Sequence, residues 1–300
     1  MNKANDPVRE VAERLERIER KLEFIEGQNR RLFFSQALYV DDDTALTWIV
    51  SGQRMFVRTN DLGISQHILK NGYWEKTTNR VLQSLLEADS NFVDVGAHLG
   101  FHTVTCAAKA GRGRHIAVEP NPKNVALLDR NLQINGLNQN QRVRIERCGV
   151  GAKAGTLRFE SNERDPALGR LLDEGQAPRP GCEVIEVPVR SIDDICADQG
   201  RTDLLKIDVE GFEYNALLGA RQTIARNENI KISLEIAPAH IRERNTPEEF
   251  LRLLEECGLV HMYDITPQGT MARAEASGIF ETATLRNMIF ARRPLPDAGS

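Results

Sequence analysis

The sequence predicts an α/β protein with a doubly wound, mostly parallel sheet, and three observations lead there. Beyond Asn91 short apolar strands near 92–95, 115–119, 143–148, 203–208 and 230–236 alternate with amphipathic helices near 99–110, 122–134, 212–226 and 247–257. That alternation is the mark of parallel strands joined by crossover helices. In NFVDVGAHLGFHTVTCAAKAGRGRHIAVEPNP, residues 91–122, the run Phe92, Val93 and Val95 breaks at Gly96 into a turn and a small-residue helix. A second apolar run then stops at Glu119, the spacing of a nucleotide-binding unit. Finally, Leu259–Ile265 and Thr284–Ala291 follow each other with no long helix between, which predicts an antiparallel hairpin at the sheet edge.

The N-terminal element is a helix. Val8, Val11, Leu15, Ile18, Leu22, Ile25 and Leu32, with Asn29 in the remaining slot, keep a 3-4 alternation over residues 8–32. With Val8 at position a, Arg14 and Lys21 fall at g and Glu19 and Glu26 at the e positions facing them across a parallel pair. Residues 1–35 are therefore expected to dimerise as a coiled coil, Asn29 at position a favouring two strands in register. The competing reading folds this helix back on its own domain, and Gly27 inside it weakens the coil.

Residues 36–90 hold a hairpin, TWIV and MFVR flanking SGQ, then a short helix over Ile64–Lys70 stopped by Asn71-Gly72, and another over Thr77–Leu86. The main domain is expected over 91–293, with 294–300 as a tail. Within it, 161–182 (SNERDPALGRLLDEGQAPRPGC) is rich in charge, Gly and Pro and is expected to be a mobile loop over the sheet.

Bulk composition narrows the function. At 41% hydrophobic and 27% charged residues, the 300-residue chain is an ordinary globular one. Its net charge of −4, without a basic patch or an NPPY motif, argues against nucleic acid as a partner. The five cysteines lie far apart with no CxxC pair, which points to a reducing compartment and no disulfide framework. No run approaches the roughly 18 apolar residues of a membrane span, and a cytoplasmic location is expected.

The first turn discriminates between cofactors. A dinucleotide site uses G-x-G-x-x-G, whereas here Gly96 and Gly100 stand four apart and Asp94 precedes them. A carboxylate there repels a pyrophosphate and suits a ligand with an amino group and a sulfonium, S-adenosylmethionine. Glu119 is placed to take ribose hydroxyls. Asn121 can cap the following helix and Pro122 can open it, which holds Glu119 at the C-terminal edge of the sheet. Ala97, His98, Pro120, Asn121, Cys148 and Gly149 complete the expected cofactor contacts.

VDVGAHLGFHTVTCAA, AVEPNPKNVALLDRNLQING, SIDDI followed by DLLKIDVEGFEYNALLGA, and ISLEIAP together resemble the FkbM family of S-adenosylmethionine-dependent methyltransferases. The resemblance covers about residues 55–292 and is most specific at KIDVEGFE. It implies the seven-stranded, Rossmann-like class I methyltransferase sheet and O-methylation of a sugar or natural-product hydroxyl. It also implies that NGYWEKTT folds over the cofactor with Glu75 near its amino group, Tyr73 and Trp74 shielding the sulfonium. The heptads lie outside it, and the charged segment 161–182 departs from the short Ser/Gly-rich stretch such proteins carry.

Methyl transfer needs an aligned acceptor and a group to take its proton. Asp208 and Glu210, two apart at the end of the fourth strand, can face one pocket, and Asp208 is the first candidate base. Glu235 ends the fifth strand and His240 lies just beyond. These carboxylates offer oxygen ligands for Mg²⁺ but no spacing signature, so Mg²⁺ stays an alternative that is not favoured. His98 and His102 share a helix face without a convincing third ligand and are expected to line or back the methionine pocket. A non-catalytic S-adenosylmethionine-binding scaffold recruited through the coil is the alternative to an enzyme.

Overall fold

The computed structural model describes residues 7–34, 37–162, 165–281 and 284–296. One long helix, α1 (Pro7–Phe34), precedes a small antiparallel sheet of β1 (Leu38–Tyr39), β2 (Thr44–Trp48) and β3 (Arg54–Arg58). The helices α2 (Ile64–Asn71) and α3 (Lys76–Ser84) follow, α2 ending where Gly72 takes a left-handed φ of 72°. The half-exposed apolar seam of α1, Val11, Leu15, Ile18, Leu22 and Ile25, is not covered by the other described residues. The side chains of Val8, Glu26, Asn29 and Leu32 lie outside the described residues.

The central units are β4 (Phe92–Val95), α4 (Phe101–Lys109), β5 (His115–Val118), α5 (Pro122–Ile134) and β6 (Val143–Glu146). At the start of α5 the Asn121 side chain accepts from the Lys123 N–H at 3.0 Å, with Pro122 next in the first turn. A second small sheet holds β7 (Gly149–Val150), β8 (Gly155–Asn162), β9 (Asp165–Leu172) and β10 (Glu183–Arg190) in the order β7-β10-β8-β9. After α6 (Ile192–Ile195) come β11 (Leu204–Ile207), α7 (Glu213–Leu218), α8 (Arg221–Arg226), β12 (Lys231–Ile236), α9 (Pro238–Arg242) and α10 (Pro247–Glu256). The chain closes with β13 (His261–Ile265), β14 (Met271–Arg273) and β15 (Arg286–Ala291).

The main sheet runs β14-β13-β15-β12-β11-β4-β5-β6, with β12 through β6 parallel and β15 antiparallel to both its neighbours. Its strands β4, β5 and β11 are buried at every residue, as in a sheet covered on both faces. Three expectations are corrected. The sheet has eight strands, because a turn at Thr266–Thr270 folds β14 back onto β13. The strands over 259–265 and 284–291 do pair antiparallel, as β13 and β15, but β14 takes the outermost place and β15 lies between β13 and β12, with Met288–Ala291 fully buried. The helix expected over 212–226 is two helices, interrupted where the Asp193 N–H bonds the Gly219 carbonyl and the Asp193 carboxylate caps the N–H groups of Gln222 and Thr223.

The segment 161–182 is also corrected. Apart from 163 and 164, which lie outside the described residues, its first half belongs to a β8–β9 hairpin. Ile185 and Val187 of β10 stand opposite Phe159 and Leu157 of β8, a period-two apolar face. The charges that suggested solvent form an internal cluster. Glu160 is fully buried, and Arg170 Nε and Arg179 Nε lie 2.8 and 2.6 Å from its Oε1.

The N-terminal hairpin is fixed over the start of α4 and the C-terminal part of α5. Asn131 accepts from the Phe56 N–H at 2.6 Å and donates to the carbonyls of Phe56 and Leu99. Met55, Val57, Ile64, Ile68, Leu99 and Phe101 form an apolar cluster beneath it. No helix of the described residues is long and apolar enough to cross a membrane.

Candidate active site

A cleft of about 980 Å³, including its open mouth, lies at the C-terminal ends of β4, β5, β11 and β12. Doubly wound sheets bind ligands at this edge. One end is the glycine turn. Gly96 has φ +83°, and a Cβ there would fall 1.9 Å from the Asp208 carbonyl oxygen, so the β4 and β11 turns touch through bare backbone. Glu119 closes that end. Its carboxylate accepts from the N–H of His98 (2.8 Å), the N–H of Asn121 (3.0 Å) and Nδ2 of Asn124 (3.2 Å). Burial pushes its pKa up to about 7 against those donors, and the charge of Asp94 adds to the rise.

Of the residues expected to meet the cofactor, Glu75, Gly96, Ala97, His98, Glu119, Pro120, Cys148, Gly149 and Asp208 line this cleft. Asp94, Gly100 and Asn121 stand behind it. Alternation along β4 turns Asp94 toward α4, where Thr103 Oγ1 donates to it at 2.6 Å, so it does not face the ligand as the sequence reading supposed. Gly100 precedes α4 against Leu128, and Asn121 caps α5. Both histidines line the cleft. The His98 ring has no hydrogen-bond partner, and burial lowers its pKa to about 4. His102 Nε2 lies 2.9 Å from Glu75 Oε2, while Asn287 Nδ2 donates to Glu75 Oε1 at 2.8 Å. Burial works to raise the Glu75 carboxyl, but His102, Lys206 and Asn287 together hold it below its ordinary value.

At the other end Asp208, Glu210 and Glu235 line the cleft together, each offering an oxygen within 4.8 Å of the others. His240 is not part of the lining; its Nδ1 lies 3.6 Å from Glu210 Oε2. Glu235 is 7% exposed and its Oε2 has no hydrogen-bond partner. Burial, then the charges of Asp208 and Glu210, push its pKa up to about 11.

Lys206 was missed in the sequence, although it stands two before Asp208 and so faces the same side of β11. It is 2% exposed, and its Nζ donates to Asp208 Oδ2 at 2.8 Å. Burial works to lower its pKa, but Asp208, Asp94 and Glu75 outweigh that and raise it, so it is a permanent buried cation. The second sheet adds a wall of Phe159, Arg170 and Leu171. Arg244 pins that wall to the Glu210 turn, with Nε 2.7 Å from Asp173 and its terminal nitrogens on the carbonyls of Leu171 and Gly211. Backbone strain gathers here too. Glu75, His98 and Glu210 have φ of 39°, 52° and 50°, a region that costs non-glycine residues about 1–3 kcal/mol each.

A carboxylate beside a glycine turn and an acid-lined far end define a site for a nucleoside carrying positive charge, the class to which methyl-donor enzymes belong. Comparison with known proteins agrees. The Methyltransferase FkbM domain model matches residues 94–260, and the chain belongs to the FkbM methyltransferase family. Methyltransferase sdnD of Sordaria araneosa is 29% identical over 161 residues, covering 45% of this chain and 61% of that protein. Methyltransferase 1 of Beauveria bassiana (strain ARSEF 2860) is 25% identical over 148 residues, covering 44% and 58%. The chain thus spans less than two thirds of either relative. The crystal structure of methyltransferase FkbM from Methylobacillus flagellatus KT aligns at 19% identity with a TM-score of 0.43, covering 69% of this chain and 45% of that one.

S-adenosylmethionine is the cofactor of this family, and the residues fit it. The bare Gly96 turn admits close approach, Glu119 keeps lone pairs for ribose hydroxyls, and Glu75 with the acidic end suits the amino and sulfonium charges.

Proposed function

We propose that the protein is an O-methyltransferase moving the methyl group of S-adenosylmethionine to a hydroxyl of a saccharide or natural-product scaffold. The observation that carries this is a single cleft joining the Glu119 turn to the Asp208, Glu210 and Glu235 cluster. When bound, the cofactor supplies an activated methyl group: the C–S bond breaks, an O–CH₃ bond forms, and S-adenosylhomocysteine remains. Glu119 and the Gly96 backbone hold the nucleoside, and Trp74 and Phe101 keep water from the sulfonium. Asp208 orients the acceptor hydroxyl and takes its proton, held in place by Lys206, with Glu210 as the second carboxylate in reach. The β8–β9 wall contacts the acceptor.

The exposed seam of α1 supports a parallel homodimer through residues 8–32, with Arg14 and Lys21 facing Glu19 and Glu26 of a second copy. The test is incubation with methyl-labelled S-adenosylmethionine and a panel of saccharides and hydroxylated scaffolds. Label should enter a hydroxyl at a rate that Asp208→Asn lowers by roughly 10²–10⁴. Label entering carbon or nitrogen alone would refute the O-methyl assignment.

A further inference from the structure

We infer that Asp208, Glu210 and Glu235 form a divalent-cation site at the acceptor end of the cleft. Their spacing in sequence hides it, since β11 and β12 must pair before Glu235 meets the other two. Oxygen ligands lie about 2.0–2.1 Å from Mg²⁺ and 2.3–2.6 Å from Ca²⁺, so opposed ligands stand about 4–5 Å apart. The three oxygens here lie within 4.8 Å of one another. They already span one ion.

A cluster of acids alone would not argue for a ligand. Glu235 does: it is 7% exposed, its Oε2 has no protein partner, and its carboxylate is aimed into the cleft. Burying a polar oxygen without a partner costs about 1–3 kcal/mol, more when charged. Lys206 donates to Oδ2 of Asp208, leaving Oδ1 for another ligand. At this place the ion would bind the acceptor oxygen and ease loss of its proton. That last role rests on the proposed methyl transfer, whereas the site itself does not.

The experiment uses the full chain stripped with chelator, with neither cofactor nor acceptor present. Mn²⁺ is titrated by calorimetry and by loss of the free-ion electron paramagnetic resonance signal, and S-adenosylmethionine is titrated separately. One Mn²⁺ should bind per chain, and Glu235→Gln, nearly the same shape, should weaken it roughly tenfold or more. Glu210→Gln should do the same, with circular dichroism showing both variants folded. Absence of Mn²⁺, Mg²⁺ and Ca²⁺ binding to folded protein would overturn the site, as would unchanged Mn²⁺ binding in both variants. Saturation by glucosamine with no metal binding would overturn it in favour of a cationic acceptor.

Discussion

Glu119 and Glu235 sit at opposite ends of one cleft, each just past or at the end of a parallel strand. They are 4% and 7% exposed, and burial raises the pKa of both. Glu119 collects three donors from the turn and helix beside it, whereas Oε2 of Glu235 collects none and faces two further carboxylates. The nucleoside end is therefore completed by the protein itself. The far end leaves a buried carboxylate oxygen, Oε2 of Glu235, that the described residues do not partner.

Lys206→Met should give the largest effect, because it removes the buried cation shared by Asp208, Asp94 and Glu75. A loss of about 3–5 kcal/mol in urea unfolding is expected; a loss below about 1 kcal/mol would mean the ion pair contributes little. Gly96→Ala forces a Cβ onto the Asp208 carbonyl and should abolish S-adenosylmethionine binding in calorimetry, with a stability loss of about 2–4 kcal/mol.

The contrast is sharpened by pH. Glu119 titrates at about 7 in the folded chain against an ordinary 4.5, raised by burial and further by the charge of Asp94 on the neighbouring strand. The folded state thus holds this proton more firmly. The associated stability is complete below pH 4.5 and is lost as pH rises to about 7. The stability of wild type relative to Glu119→Gln should fall across that window by roughly 3 kcal/mol and then flatten. A flat difference would show that the donors around Glu119 fully offset burial.

Smallest in its effect on the site is the double substitution Leu15→Glu and Leu22→Glu on α1. It should convert a dimer to a monomer in sedimentation while S-adenosylmethionine affinity changes less than about twofold.

Legibility followed locality. The β4 turn, the cap at Asn121 and Glu119 are set by neighbours in sequence, and each was readable from residue types and spacing. Glu235 was recognised as a strand-end carboxylate, but not its isolation, which depends on β11 pairing with β12 and on Lys206 being engaged by Asp208. Asp94 was misread because its orientation depends on strand alternation relative to α4. The β8–β9 hairpin was hidden because Glu160, Arg170 and Arg179 look solvent-bound until they are seen to neutralise each other. Even so, the alternation of Ile185, Val187 and Val189 was a signal that period-two counting could have found.

The most direct measurement is calorimetric titration of S-adenosylmethionine, S-adenosylhomocysteine and NAD into wild type and Glu119→Ala. The first two should bind wild type one to one with dissociation constants on the order of micromolar, weaken by roughly tenfold or more in the variant, and leave NAD silent. Folded protein that ignores S-adenosylmethionine, or that binds NAD instead, would contradict the account.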